Sequence, residues 1–309
     1  MKVITMGVHV LDVLVRPVEA IPEGQGATLV EDIRMTAAGT AGGTALTLAK
    51  LGAAVHSAGA IGSDPTGDML IQLLGAAGID TRYLVRRTDT PTSASVLPIR
   101  PNGDRPSLHL LGANITYGPD DVPWDAITEA THLHLGGPEL IGVDTATRIL
   151  SHAKDHGVVT SVDLLAPGAL GSFEQLEPAL PYVDHMLPNE DQVLGFTGES
   201  DLTAGAHKLL DAGAGLVAVT RGGDGALLVT PEGTEQVPAF AVDVVDTTGC
   251  GDAFSAGFVR GMSLGRTPYD SAVLGCAAAA LVAQGLGSDH GDFDLAAADA
   301  FAATHKPRS

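Results

Sequence analysis

The stretch DTTGCGDAF, residues 246 to 254, sets Gly249 and Gly251 around Cys250 and follows them with Asp252 and an apolar run of helical spacing. The glycines let the backbone N–H groups of Gly249, Cys250 and Gly251 turn inward. The helix opening there, with Phe254 and Phe258 four apart on one face, adds orphan donors and the positive end of its dipole. Such an end suits an anion, and phosphate is its natural guest. Asp252 places a negative charge beside that site. A carboxylate that only capped the helix would compete for the same amides. One that faces a hydroxyl can take its proton while the amides hold the charge of a migrating phosphoryl group. The plainer alternative is a glycine-rich turn with an ordinary acidic first-turn residue.

The elements that must position this junction read as alternating strands and helices. KVITMG is a short β-rich run, and HVLDVLV places Asp12 just beyond it, where an open α/β sheet exposes ligand-facing groups. TALTLAKLG, from Thr44 to Gly52, has helix formers and a terminal glycine; AVHSAGAIG reads as a buried strand; the next helix opens at Asp64 and Pro65. After residue 120, THLHLGG, VVTSVDLL, HMLPNE, GLVAVTRGG and GALLVT read as strands, and DTATRILSHAKDHG and LTAGAHKLLDAG as helices. Two further helices follow in GCGDAFSAGFVRGM and YDSAVLGCAAAALVAQG. The rhythm predicts an α/β fold, a mostly parallel sheet with helices on both faces. Residues 17–37, with SASVLPIR and SLHLLG around the turn PNGD, fall outside it and predict a small separate sheet. The expected organisation is a single domain over 1–309, with a lid formed by about 13–37 and 93–112.

Composition narrows the function classes. Apolar residues make up 45% and charged residues 17%, which predicts a large folded core. A formal net charge of −20 opposes a nucleic-acid surface, and 4% aromatic residues leave no stacking platform for single strands. No apolar run is long enough to span a membrane, and the N-terminus alternates like a strand rather than a signal peptide. Cys250 and Cys276 supply neither a disulfide framework nor a thiolate metal cluster, so the expected location is cytoplasmic. His132 and His134 face one side of a strand without a Cys or Glu to complete a zinc site, which predicts a core or surface role. Neither GxxxxGKS nor GxxxxGKT occurs, so the phosphate site is not of the P-loop kind. The junction also lacks the GxGxxG spacing of a dinucleotide fold.

On these residues the chain resembles the ribokinase-like, or pfkB, family of carbohydrate and nucleoside kinases over nearly its whole length. Asp246, Thr247, Gly249, Gly251 and Asp252 match the C-terminal signature closely, and Cys250 stands where alanine is usual. The resemblance implies a ribokinase-like three-layer sandwich with a mostly parallel central sheet and a small β-sheet lid. It further implies Asp252 as catalytic base, the amides of Gly249, Cys250 and Gly251 as anion hole, and ATP with Mg2+ as cofactors. The loop in AAGTAGGTALTLAKLG, through Gly39, Thr40, Gly42 and Gly43, would contact sugar hydroxyls together with Asp12; Gly43 stands where an asparagine is frequent. His9 is a candidate for the same pocket. Gly62, Asp64 and Gly67 match the helix start after the sugar loop and imply structural roles.

LPNEDQV resembles the family segment in which Asn189 positions nucleotide phosphate. The acidic position that supports Mg2+ through water holds Gln192, so either Glu190 or Asp191 compensates or phosphate oxygens and water hold the metal. TRGGDG, with Thr220, Arg221, Gly222 and Gly225, resembles the strand exit beneath the nucleotide, Arg221 being equally readable as a surface residue. Cys276 and Ala279 would face adenine or simply pack a tight helix. Asp246 and Thr248 would join the monovalent-cation site, for K+ or Na+, of part of the family.

The expected activity is transfer of the γ-phosphoryl of ATP to a hydroxymethyl group of a small sugar, of ribokinase, fructokinase or keto-sugar-acid kinase type. A nucleoside acceptor is one alternative, and a non-catalytic metabolite-binding regulator on the same fold another. Lid closure would exclude water. Arg105, in PNGDR, would reach inward from the lid or stand as an exposed hairpin charge. Lid edges or apolar faces would pair two copies into a homodimer. No nucleic-acid or membrane partner is expected.

Overall fold

A computed structural model describes residues 1–101, 104–166 and 171–308; residues 102 and 103 of the expected PNGD turn lie outside them. Its strands are β1 (Lys2–Gly7), β2 (Val10–Arg16), β3 (Asp32–Ala38), β4 (Ala54–Gly62), β5 (Asp80–Arg87), β6 (Ala94–Pro98) and β7 (Leu108–Leu110). After these come β8 (His132–Gly136), β9 (Val159–Asp163), β10 (His185–Met186), β11 (Leu216–Thr220), β12 (Ala226–Thr230) and β13 (Gly233–Val237). One sheet runs β13-β12-β11-β10-β9-β8-β1-β4-β5, parallel except at β12 and β13; a second runs β3-β2-β6-β7.

Alternation along the strands fixes the layers. Ile4 and Met6 of β1, Leu133 and Leu135 of β8 and Val217 and Val219 of β11 enter one core, under helices such as Val143–Asp155 and Leu202–Asp211. Val3, Leu216 and Ala218 enter the other, under Thr40–Lys50, Pro65–Ala76, Cys250–Ser263 and Pro268–Val282. This is the expected three-layer sandwich.

Strand order reverses at β1. The chain leaves β1 through the small sheet, returns on one side as β4 and β5, and resumes on the other as β8 onward. A crevice therefore opens where β1 and β8 end, the usual ligand position of such sheets. Gly7 and Gly136 meet there so closely that a Cβ on Gly7 would lie 2.0 Å from the Gly136 carbonyl.

The small sheet departs from expectation at its edges. HVLDVLV is not the exit from β1 but the strand β2 itself, beginning at Val10, and residues 17–31 carry no strand. Asp12 therefore belongs to the small sheet, in register with Thr36 of β3 and Ser95 of β6; Ser95 in turn pairs with His109 of β7. The helix expected from Thr44 begins at Thr40 and contains Gly42 and Gly43. Gly43 serves close packing rather than a loop, since a Cβ there would strike Asp252, whereas one on Gly42 would make only ordinary contact with the His9 ring at 3.4 Å. A terminal helix, Leu295–Thr304, was not anticipated.

Candidate active site

The helix Cys250–Ser263 is fixed by Phe254 and Phe258, both buried with ring centroids 6.2 Å apart. Gly257 and Gly275 let it press on Pro268–Val282, since a Cβ on Gly257 would lie 2.7 Å from the Gly275 Cα. Its first turn is set by Gly249, at φ 77°, where a Cβ would meet Ser288 Oγ at 2.5 Å; both the left-handed backbone and the space demand glycine. Asp246, only 1% exposed, clamps the turn. Its Oδ1 accepts from the Thr248 N–H (3.0 Å) and hydroxyl (2.8 Å), and its Oδ2 accepts from the Gly287 N–H (3.0 Å).

The amides of Gly249, Gly251 and Asp252 have no intrachain acceptor among the described residues, whereas the Cys250 N–H reaches the Thr247 carbonyl at 3.3 Å. The expected donor set is corrected accordingly: the glycine amides stand open and the Cys250 amide is partly committed. The Cys250 thiol lies 3.6 Å from the Ala279 carbonyl, and burial pushes it up to about 12, so it is no nucleophile.

Asp252 lies half-buried directly over Gly43, so close that a Cβ there would sit 2.1 Å from Oδ2. Burial and the nearby Asp12 raise its carboxyl to about 7, against the opposing pull of Arg105. A carboxyl poised there exchanges a proton readily near neutrality. Asp12, 7% exposed, is raised to about 6, chiefly by burial, while a hydrogen bond with Ser95 and the Arg105 charge oppose the shift. Ser95 Oγ lies 2.9 Å from His109 Nδ1, so the inner face of the small sheet carries a polar row that the sequence reading missed. Arg105 is exposed, yet its Nε donates to Thr247 Oγ1 at 3.0 Å and its charge is felt by Asp12 and Asp252.

The opening of the helix Thr40–Lys50 is equally constrained. Gly39, at φ 87°, approaches the Val8 carbonyl within 2.5 Å of its absent Cβ, and the Thr40 hydroxyl is buried without a partner. His9 is corrected from pocket wall to support. It is 0% exposed, packs beneath Gly42 and Gly59, and is held by Asn114 through its backbone and by the Gly7 carbonyl at Nδ1. Burial lowers it to about 4, so it is neutral. His132 and His134 share Ser161 Oγ at 2.8 and 2.9 Å, and His134 Nε2 lies 3.2 Å from the Thr40 carbonyl. They are core residues that brace the start of the helix Thr40–Lys50.

Across the anion turn a cavity of about 600 Å³ is lined by Thr220, Gly222, Gly225, Gly251, Cys276 and Ala279, among others. Five of these are the expected nucleotide residues. Arg221 turns away from it, donating to Gln236 Oε1 at 3.0 Å with its Nε 3.8 Å from Glu190. Asn189 caps the helix Glu190–Thr197, its Oδ1 accepting from the Gln192 N–H.

The expected metal position is corrected too. Gln192 is buried and spent: Oε1 accepts from the Asn189 N–H, and Nε2 donates to the Leu164 and Leu165 carbonyls. Glu190 faces Arg221 instead. Two unanticipated carboxyls have the better chemistry. Asp163, at the end of β9, is raised well above the ordinary range by burial and then by Asp252 and Glu139; Glu139 is raised to about 7 by burial and keeps Oε2 buried without a partner. Carboxyls crowded and buried this way ionise readily only beside a compensating positive charge, and so fit a divalent cation held through water. Among the described residues no three His, Cys, Asp or Glu form a direct cage, as suits Mg2+, which keeps waters and phosphate oxygens.

The pfkB family carbohydrate kinase profile matches residues 5–292. The ATP-dependent ribose-1-phosphate kinase of Halopiger xanaduensis is 31% identical over 258 residues, 84% of this chain and 83% of that protein. The adenosine kinase of Schizosaccharomyces pombe is 28% identical over 233 residues, 68% and 67% of the two chains. Arabidopsis thaliana ribokinase, solved with ribose and ATP, superposes with a TM-score of 0.82 at 23% identity over 97% of this chain and 98% of that one, a likeness of fold. A junction of open amides and a poised carboxylate at the switch point, matched by sequence over nearly its full length, makes this chain a kinase of the pfkB carbohydrate kinase family.

Proposed function

We propose that this chain transfers the γ-phosphoryl group of ATP to a hydroxymethyl group of a small sugar. The nucleotide lies in the cavity beside Thr220, Gly222 and Ala279, and the acceptor between Asp12, the Gly39–Gly43 turn and Asp252. Asp252 takes the hydroxyl proton as the new O–P bond forms and the bond to ADP breaks, while the amides of Gly249 and Gly251 hold the charge on the moving group. Mg2+, held through water by Asp163 and Glu139, would neutralise phosphate charge. Arg105 orients the phosphoryl from above, and the small sheet closes as a lid, all within one domain over 1–309. Asp246 and Thr248 act in this reading as the brace of the turn rather than as ligands of K+, because both Asp246 oxygens already accept internal hydrogen bonds.

The observation that carries the reading is the Asp252 carboxyl, raised to about 7 at the boundary between the acceptor crevice and the nucleotide cavity. The test is acceptor-dependent ADP release from ATP-Mg2+ over pentoses, hexoses, keto-sugar acids, ribose 1-phosphate and nucleosides. A sugar that supports turnover is the expected result. Turnover with nucleosides alone would overturn the sugar assignment, and stabilisation by ligands without ADP would make the chain a regulator.

The outer face of the small sheet supports a homodimer. Ile33, Met35, Leu108 and Leu110 are 60%, 47%, 65% and 50% exposed there, a face that a second copy would cover. Sedimentation of Leu108→Glu against the parent tests it. Two free cysteines, Cys250 and Cys276, and the lack among the described residues of a helix long and apolar enough to cross a membrane accord with a cytoplasmic enzyme.

A further inference from the structure

The helix that opens at the acceptor turn ends on Lys50, and its ammonium does something a surface lysine does not. Nζ donates to three consecutive backbone carbonyls, those of Asp289 (2.7 Å), His290 (2.8 Å) and Gly291 (2.6 Å). These use all three N–H bonds of the ammonium. The same nitrogen lies 4.8 Å from the Phe293 ring centroid, and Arg34 of β3 pairs with the Asp289 carboxylate at 3.0 Å. Three carbonyl dipoles aimed at one point repel one another unless a cation sits between them.

What these carbonyls belong to gives the contact its meaning. The segment 287–291 is the wall against which the anion turn is built. The Gly287 N–H donates to Asp246 Oδ2, and the Ser288 Cα lies 2.6 Å from where a Cβ on Gly249 would be. The segment's own backbone bonding is sparse, His290 N–H to the Gly287 carbonyl at 3.1 Å. Its fixed points are therefore Asp246 at one end and, at the other, Lys50 together with the Arg34–Asp289 ion pair. With no slack between Ser288 and Gly249, movement of the segment moves the amides.

We propose that Lys50 is a positioning residue for phosphoryl transfer, a covalently tethered cation that gathers the carbonyls of 289–291 and so holds the turn 249–251 in register. The proposal rests on the kinase reading of that turn. It implies that these three carbonyls leave no place for an added monovalent cation while the ammonium is there, so that turnover should not respond to one.

The test compares the parent and Lys50→Met in buffers whose added cation is tetramethylammonium, K+ or ammonium. For the parent, kcat should agree within about twofold in all three. For Lys50→Met, kcat in tetramethylammonium should fall about 10- to 100-fold, the scale of a displaced catalytic group, with ATP affinity nearly unchanged. Ammonium or K+, small enough to enter the vacated position of the ammonium group, should restore part of it. Hydrogen exchange at the 287–291 amides should quicken in the variant and slow again with the same cation. A parent that requires K+, a variant with parental kcat, a loss that no cation repairs, or unchanged exchange would each overturn the proposal. If Lys50→Met fails to fold, the cation dependence of the parent decides. If the parent phosphorylates no acceptor, the kinase reading fails by itself, and the exchange experiment still shows whether Lys50 holds the segment.

Discussion

Replacing Gly43 with alanine should remove most of the turnover while leaving the protein folded. The new Cβ would lie 2.1 Å from Asp252 Oδ2, 2.7 Å from its Cγ and 3.0 Å from its Cβ. Ordinary contact begins at 3.4 Å, so the carboxylate must retreat by about 1.3 Å. Because Cγ and Cβ are crowded as well, turning the carboxylate tip does not relieve the clash. A misplacement of about 1 Å costs a catalytic group on the order of 10²-fold, or about 2.7 kcal/mol of barrier. Gly43 lies inside the helix Thr40–Lys50, where alanine gains about 1 kcal/mol of propensity, so strain and propensity offset each other in stability. Initial rates of ADP formation give kcat, calorimetry gives the melting temperature and titration gives ATP affinity. A kcat within about threefold of the parent, with a normal melting temperature, would refute the reasoning that the carboxylate must stand where it does.

Three other expectations follow from the same geometry. Gly251 has nothing within 4 Å of a Cβ and no left-handed backbone, whereas Gly249 has both constraints. Gly251→Val should thus melt like the parent yet lose nucleotide turnover by filling the phosphate position, while Gly249→Ala should melt several degrees lower in a calorimeter. Gln192→Ala should lower stability by about 1–3 kcal/mol, read by denaturant melts, without changing the Mg2+ requirement, whereas Asp163→Asn should raise the Mg2+ concentration for half-maximal rate about 10-fold. The acceptor kcat/KM should fall with acid below about pH 7, where Asp252 takes up a proton, and more steeply below about pH 6, where Asp12 follows. The sign for stability is opposite: a carboxyl raised in the folded state binds its proton more tightly than the unfolded chain does, so its ionisation lowers stability as pH rises from about 4 to 7.

The sequence carried the catalytic turn because its signal is local. Glycine spacing, the acid and the helix that follows stand within nine residues, and the phenylalanines that anchor them repeat at helical period. The α/β rhythm was legible for the same reason, each strand and helix being a contiguous pattern. What escaped was settled across the chain. Gly42 and Gly43 look like a loop until the helix is seen to start at Thr40 and Asp252 to fill the space above Gly43. Gln192 looks like a degraded metal position until its amide is found spanning Asn189, Leu164 and Leu165. Asp163, Glu139 and Lys50 sit in unremarkable local sequence, and their roles come from partners far along the chain, for Lys50 some 240 residues away. His9 was assigned by proximity to Asp12, which a turn of the backbone sent into a different sheet.

Asp252→Asn addresses the central claim most directly, since asparagine keeps the shape beside Gly43 and removes only the capacity to accept the proton. Single-turnover and steady-state rates with the best acceptor, alongside ATP-Mg2+ affinity by titration, should show turnover lower by at least about 10²-fold with nucleotide affinity within about threefold of the parent. Turnover close to that of the parent would mean that the alcohol loses its proton to some other group, and the assignment of this carboxylate as the base would be wrong.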